Sequence, residues 1–532
     1  MLTRDGIRLD ADIYRPEAAG SYPVLLMRQP YGRAIASTVV YAHPSWYAAQ
    51  GYIVVIQDVR GRGTSEGSFY PFAAEVTDGY DTVQWAAALP DSTGEVGMYG
   101  FSYQGMTQLY AAAAQPPALK VLCPAMMAYD LCRDMAYENG SFLFGNKLGW
   151  GIQIETETAR LKGDQEAYTA LYRASRSLPL TDPIPTRPAV LQQYAPQSFY
   201  FDWLDHPDPE HDYWRQISPH HLLQTAQLPM LHIGGWYDPY LRGTLRLFRA
   251  MQKRSGQPQR LLVGPWGHLP WSRKVGGVDF GPEALNPVDR LQVAWFDHWL
   301  KGKPLTGFAV DPVRLFEMGS QHWITLPHWP MPDPLPLYLA STGLAAMSEA
   351  EGSLVLDPPA STTADTFIHD PWRPVPALGG HNGAPSGSFD RSSLDGRTDV
   401  LTYTTPPLEQ DWHVVGDPVL EVRCTADAAS FDLCAVLSEV RGQGVFNLTQ
   451  GMIRVDSPPV DGIIRIPLQA TCVQLFKGNA LRLSLSATCF PAHPVNPGTG
   501  SPAATATQME RAIITLTVET AGSRLLLPLR DP

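Results

Sequence analysis

The chain has 532 residues, of which 44% are hydrophobic and 17% charged, and carries a formal net charge of −12 at pH 7. That length exceeds what one compact core accommodates, so two or three domains are expected, and the apolar content excludes wholesale disorder. Without a basic run to meet phosphates, and without an apolar stretch of membrane-spanning length, neither nucleic acid nor a membrane is expected as a partner.

The N-terminus, Met1-Leu2-Thr3-Arg4-Asp5-Gly6, lacks the apolar segment of a secretory signal, so a cytoplasmic protein is expected. From there, short apolar runs alternate with amphipathic segments. Val24 to Met27, Tyr52 to Ile56, Val96 to Tyr99 and Leu119 to Leu122 read as strands, with helices over Gly79 to Leu89 and Gly105 to Ala114 between them. Continuous apolar strands separated by helices predict a parallel sheet covered on both faces. The texture changes at residue 126, where aromatic residues mix with charged helical stretches such as Glu155 to Lys162 and Asp164 to Arg176. A helical insertion over 126–225 is expected. Strands resume at Met230 to Ile233 and Leu261 to Val263, followed by a helix over Asp289 to Leu300.

Beyond residue 308 the pattern becomes all-β. Val313 to Phe316, Val419 to Val422, Ile463 to Ile466, Leu481 to Leu485 and Ile513 to Val518 are separated by Pro- and Gly-rich turns, and Pro371 to Gly396 reads as a long ordered loop. The expected organisation is therefore an α/β domain with a parallel sheet in two parts, 1–125 and 226–308, a helical insertion over 126–225, and a C-terminal β-sandwich or jelly roll over 309–532. The six cysteines form no CxxC pair, and no HExxH, EF-hand or Cys-rich ligand set is present, so no metal or cofactor is required. Gly61-Arg62-Gly63-Thr64-Ser65-Glu66-Gly67 lacks the third glycine of a dinucleotide loop and reads as a structural turn.

The chemistry concentrates at three strand ends. Gly100-Phe101-Ser102-Tyr103-Gln104-Gly105 puts a serine between a strand and an Ala-rich helix, with small residues where a sharp turn needs them. The following helix contributes partial positive charge where an oxyanion would form. A serine needs a base and an orienting acid, in this class in the chain order Ser, acid, His. Asp238 ends the strand Ile233-Gly234-Gly235-Trp236-Tyr237, and His268 ends Val263-Gly264-Pro265-Trp266-Gly267. Asp58 precedes the serine and has the wrong order. Asp130 and Asp134 stay open as rival acids, and His220 and His221 as rival bases.

Taken together, Arg28-Gln29-Pro30-Tyr31, Gln57-Asp58-Val59-Arg60-Gly61, the segment around Ser102, Gly235-Trp236-Tyr237-Asp238 and Gly264-Pro265-Trp266-Gly267-His268 resemble the cocaine esterase-like hydrolases of the Xaa-Pro dipeptidyl-peptidase and α-amino acid ester hydrolase family. The resemblance spans nearly the whole chain and implies an α/β-hydrolase domain with an inserted helical cap and a C-terminal jelly roll. It implies the triad Ser102, Asp238 and His268, with Tyr31 and the backbone N–H of Tyr103 as oxyanion donors. It also implies an aromatic acyl pocket containing Trp150 and Tyr240, and Tyr137 is counted with them as substrate-binding. Asp238 is followed by Pro239-Tyr240-Leu241, without the nearby acid that α-amino acid ester hydrolases use for a substrate ammonium.

The function expected is a serine hydrolase acting on small carboxylic esters, or amides, with an apolar or aromatic acyl group through an acyl-enzyme. Two alternatives stand beside it. One is a dipeptidyl-peptidase or amino-ester hydrolase that needs a free α-amine, for which Asp130, Asp134 or Glu138 would supply the carboxylate. The other is a non-catalytic binding protein. A homo-oligomer is left open.

Overall fold

The computed structural model describes residues 1–307 and 310–530. Its first sheet has nine strands, in the spatial order Ala11–Tyr14, Ile53–Asp58, Tyr22–Gln29, Ser92–Phe101, Leu119–Ala125, Met230–Tyr237, Gln259–Gly267, Val313–Glu317 and His322–Leu326. The seven inner strands run parallel, and the two outermost pair antiparallel with their neighbours. Side chains alternate between two buried faces. Val24, Leu26, Ile53 and Val55 pack with the helices Glu75–Ala87 and Tyr103–Ala113. Leu25, Met27, Val54 and Ile56 pack with Pro44–Ala49 and Val288–Lys301. Burial on both sides explains why these strands read as unbroken apolar runs.

The chain moves outward from Tyr22–Gln29 to Ile53–Asp58, then returns across to Ser92–Phe101 and continues the other way. The order therefore reverses between Tyr22–Gln29 and Ser92–Phe101. At such a switch point the loops leaving the carboxyl ends diverge and open a crevice. Tyr31 and Ser102 follow those two strands.

Between Leu119–Ala125 and Met230–Tyr237 the chain is helical. Phe144–Lys162, Gln165–Arg176, Ala189–Tyr194, Phe199–Asp205, Asp212–Ile217 and Pro219–Leu222 follow a π-helical turn at Leu131–Ala136 and a short hairpin, Tyr137–Glu138 with Ser141–Phe142. The longest of these ends at Gly163 in the left-handed conformation, and the next is capped by Asp164, whose carboxylate accepts from Ala167 N.

The remainder is rich in strands. A ten-stranded sheet runs from the hairpin Phe431–Arg441 and Gly444–Val455 through Ala480–Ser486 and Val400–Thr404 to Ile514–Leu527 and Val419–Ala426, and a three-stranded sheet joins Thr471–Leu475, Trp412–Gly416 and Leu529–Arg530. Residues 371–396 form a loop broken by the short helix Ser392–Asp395. The expected junction at 308/309 falls on residues outside those described. One assignment is corrected. Val313–Glu317, read from sequence with the all-β part, pairs in parallel with Gln259–Gly267 and, with His322–Leu326, completes the first sheet.

The two halves share a core. Leu241, Leu245, Phe248, Val313 and Phe316 of the first half pack in one cluster with Leu420, Leu433, Leu483 and Leu525 of the second. All six cysteines are free and buried. Among the described residues no helix is long and apolar enough to cross a membrane.

Candidate active site

The turn at Ser102 is set by close approach of the backbone. A Cβ at Gly100 would lie 2.4 Å from Cβ of Gln104, and one at Gly105 would lie 2.8 Å from the carbonyl oxygen of Ala125. With that space left empty, the helix Tyr103–Ala113 starts directly against the strand. Ser102 is left at φ 58° and ψ −126°, a strained conformation for a residue with a side chain. Its N–H donates to the carbonyl of Ala125 at 3.0 Å, and its carbonyl accepts from Met106 N at 3.0 Å. The Gln108 amide braces the turn, donating to the carbonyls of Gly100 and Cys123 and accepting from Cys123 N at 3.1 Å. Tyr103 is the first helical residue, where an amide has no carbonyl partner within the helix.

Asp238 and His268 leave adjacent parallel strands and meet at 2.7 Å, Oδ1 to Nδ1. The carboxyl is fully buried. Burial raises its pKa, and the neighbouring imidazole opposes that rise. Pairing at Nδ1 assigns the proton there and leaves Nε2 for a reacting hydroxyl. The imidazole packs edge-to-face with Tyr240, ring centres 5.0 Å apart, and against Phe101 at 5.4 Å, while the backbone carbonyl of His268 accepts from Trp271 Nε1 at 3.2 Å. The turn carrying Asp238 is gripped from the second half of the chain. Gln469 Nε2 donates to the carbonyls of Trp236 and Asp238 at 2.9 and 3.1 Å.

Tyr31 stands on the other side of Ser102. Its hydroxyl accepts from Trp150 Nε1 at 3.2 Å and lies within hydrogen-bonding reach of Ser102. Burial pushes the phenol up to about 12, so it keeps its proton across the neutral range and can donate it as a neutral hydroxyl. Gln29 fixes its backbone by accepting from Tyr31 N at 2.9 Å and donating to Asp58 at 3.2 Å. Asp58 also accepts from Arg33 N at 2.7 Å and pairs with its guanidinium at 2.6 Å. Asp58 thus buttresses the Tyr31 turn, away from the imidazole.

Tyr31, Ser102, Tyr103 and His268 line one cavity of about 470 Å³ with Val39, Phe101, Gln104, Met135, Gly145, Asn146, Gly149, Trp150, Gln153, Tyr240 and Leu269. No carboxylate and no lysine or arginine is among these residues. Trp150 is backed by Phe199 and Trp203, with ring centres 4.8 and 5.5 Å away.

Tyr137 is not on this wall. Its hydroxyl is spent on the carbonyls of Trp203 and Leu204, at 3.1 and 3.2 Å, and its ring is buried in the core, so the substrate-binding role expected for it is corrected. The rival acids are also accounted for. Asp130 pairs with Arg133 at 2.9 Å and Asp134 with Arg246 at 2.8 Å. Glu138 sits between Arg242 and His381, each at 3.1 Å. His220 packs against His221, with ring centres 3.7 Å apart and the planes tilted by 42°.

Two supporting residues, Gln469 and Gln29, and the buried Lys147 were given no role from the sequence. Lys147 lies three residues before Trp150 on the same helix face and is buried, with Nζ 2.7 Å from the Tyr240 hydroxyl. That i, i+3 spacing from an expected pocket residue was the available hint.

The chain is similar to known hydrolases over nearly its whole length. Residues 5–270 match the model of the X-Pro dipeptidyl-peptidase S15 family, and residues 307–526 that of the X-Pro dipeptidyl-peptidase C-terminal non-catalytic domain. Cocaine esterase of Rhodococcus sp. (strain MB1 Bresler) is 32% identical over 530 residues, covering 93% of this chain and 91% of that protein. Among solved structures, an aminopeptidase from a marine sediment Thaumarchaeota archaeon superposes with a TM-score of 0.83 at 22% identity, over 100% of this chain and 95% of that one. An α-amino acid ester hydrolase gives 0.79 at 21% identity, over 99% and 95%. At those identities the two structures establish the shared hydrolase fold and no more.

Proposed function

The chain belongs to the X-Pro dipeptidyl-peptidase S15 family and is a serine ester hydrolase, and we propose that its substrates are small carboxylic esters whose acyl part is apolar or aromatic and carries no free amine. The observation that carries this reading is a cavity whose walls hold Ser102, His268 and Tyr31 among mainly apolar and aromatic side chains with the amides of Gln104, Asn146 and Gln153, and no carboxylate to receive an ammonium group.

In the proposed reaction, Ser102 Oγ attacks the ester carbonyl while Nε2 of His268 takes its proton. Asp238 holds the imidazole in the tautomer that leaves Nε2 free and stabilises the imidazolium that forms. The negative charge on the former carbonyl oxygen is met by the Tyr31 hydroxyl and the Tyr103 N–H. His268 then gives its proton to the departing alkoxide. Water, deprotonated by the same imidazole, cleaves the acyl-enzyme and restores the serine. Trp150 and Tyr240 flank the acyl group. The strand-rich second half is read as a jelly roll that backs the acid turn through Gln469.

Family membership also suggests the amine-dependent reading, so the test compares both. Hydrolysis of a p-nitrophenyl acyl series is expected to fall to background in Ser102→Ala. An N-acetylated amino-acid ester should be cleaved faster than its free-amine counterpart. Retained turnover in Ser102→Ala would end the mechanism, and a preference for the free amine would overturn the substrate assignment.

A further inference from the structure

Outside the residues assigned above, the group whose placement is hardest to explain by packing alone is Lys147. It belongs to the helix Phe144–Lys162, its side chain is buried, and among the described residues no carboxylate lies within ion-pair distance of it. Its one polar contact is the Tyr240 hydroxyl, 2.7 Å from Nζ. The centre of the Tyr240 ring lies 4.8 Å from Nζ, so the ring adds a cation–π contact to the hydrogen bond. Tyr240 then presents the edge of its ring system to His268, at 5.0 Å between ring centres.

A buried ammonium with no adjacent counter-ion is costly, and such a group survives where a more distant anion compensates it. The anion acting on Lys147 is Asp238, which favours its charged form against desolvation. The chain Lys147, Tyr240, Asp238 is faced by His268 from the end of Gln259–Gly267, by His381 from the loop 371–396, and by the phenol of Tyr31. Of these only Asp238 is an anion at neutral pH.

We propose that Lys147 is a positioning residue of the hydrolytic reaction, the buried counter-charge of Asp238, which fixes Tyr240 against the imidazole and weakens the affinity of His268 for a proton. The inference rests on the reading of His268 as the base. A cation on this side of Asp238 shares the attraction that the carboxylate exerts on the imidazolium, so His268 stays neutral, and able to accept a proton from Ser102, at lower pH than it otherwise would. Desolvation sets Lys147 itself at about 7, so the cation is present over the acidic range in which an imidazole titrates.

The test is the pH profile of kcat/KM for a neutral p-nitrophenyl ester in the parent and in Lys147→Met, Lys147→Gln and Lys147→Arg. Methionine and glutamine remove the charge, and glutamine keeps a donor for Tyr240. The acidic limb should move upward by about half a pH unit in both, so that their rate relative to the parent falls roughly threefold between pH 8.5 and the limb. Arginine keeps the charge, and its limb should stay with the parent's. A purely structural role predicts losses uniform in pH, and that result would overturn the proposal. So would a glutamine variant whose limb matches the parent's, because the hydrogen bond and not the charge would then act. Should methionine fail to fold, the glutamine and arginine pair carries the same contrast. If the parent shows no limb in the imidazole range, the triad reading fails. A limb present in the parent and unmoved in the neutral variants refutes only the role of Lys147.

Discussion

Replacing Tyr31 with phenylalanine removes one oxygen and probes half of the proposed oxyanion-binding arrangement. Because Trp150 Nε1 donates to that oxygen at 3.2 Å, the phenolic proton is directed away from the indole, toward the Ser102 side of the cavity. A phenol held at about 12 remains a neutral donor throughout the working range, so its contribution should not titrate below pH 10. The oxygen it serves gains charge only as the tetrahedral intermediate forms. The loss should therefore fall on kcat and leave KM nearly unchanged. Removing one such donor costs about 3–4 kcal/mol, a factor of 10²–10³ in kcat. Stopped-flow acylation by a p-nitrophenyl ester isolates that step from deacylation. A second consequence is structural: the Trp150 N–H loses its acceptor, at a cost of about 1 kcal/mol in stability, visible as a small fall in Tm. A kcat within fivefold of the parent, or a loss carried by KM, would refute the oxyanion role.

Lys147→Met should raise Tm at pH 6 and give no gain near pH 10.5. The folded protein holds this lysine near 7 against an ordinary 10.5, so the unfolded chain binds the extra proton between those values and the native state is penalised most below 7. The penalty amounts to several kcal/mol, offset in the variant by the lost contact to Tyr240, and equal Tm gains at both pH values would contradict it. Ser102→Gly should be more stable than Ser102→Ala by about 1–2 kcal/mol, because glycine accepts φ 58° without strain, and chemical denaturation of the two inactive proteins measures the difference. Gln469→Ala should lower kcat about tenfold or more while Ser102 still reacts with a fluorophosphonate, since only the acid's turn is loosened; unchanged turnover would remove Gln469 from the machinery.

The serine turn was legible because its geometric demands fall on consecutive residues. Gly100 and Gly105 are required by contacts within a few positions of Ser102, and the strand and helix around them have clear periodicities. The acid and the histidine were legible for the same reason, each closing an apolar run. What escaped was non-local. Val313–Glu317 is an apolar strand whichever sheet it joins, and only its pairing with Gln259–Gly267 decides. Lys147 resembles any helical lysine until its helix is packed. Tyr137 and Trp150 are both cap aromatics, and only packing turns one inward to the core and the other onto the cavity. Asn447-Leu448-Thr449 matches a glycosylation pattern, yet Asn447 is buried and holds the backbone of Phe389 and Gly387.

The grip of Gln469 on a carbonyl 231 positions upstream has a consequence for how the enzyme comes into being. A growing polypeptide that has just completed the first sheet already contains Ser102, Asp238 and His268, yet the turn bearing Asp238 is still unclasped. Competence to turn over substrate should then switch on late in synthesis. Two separately expressed halves should regain it together, at a speed set by how often they collide.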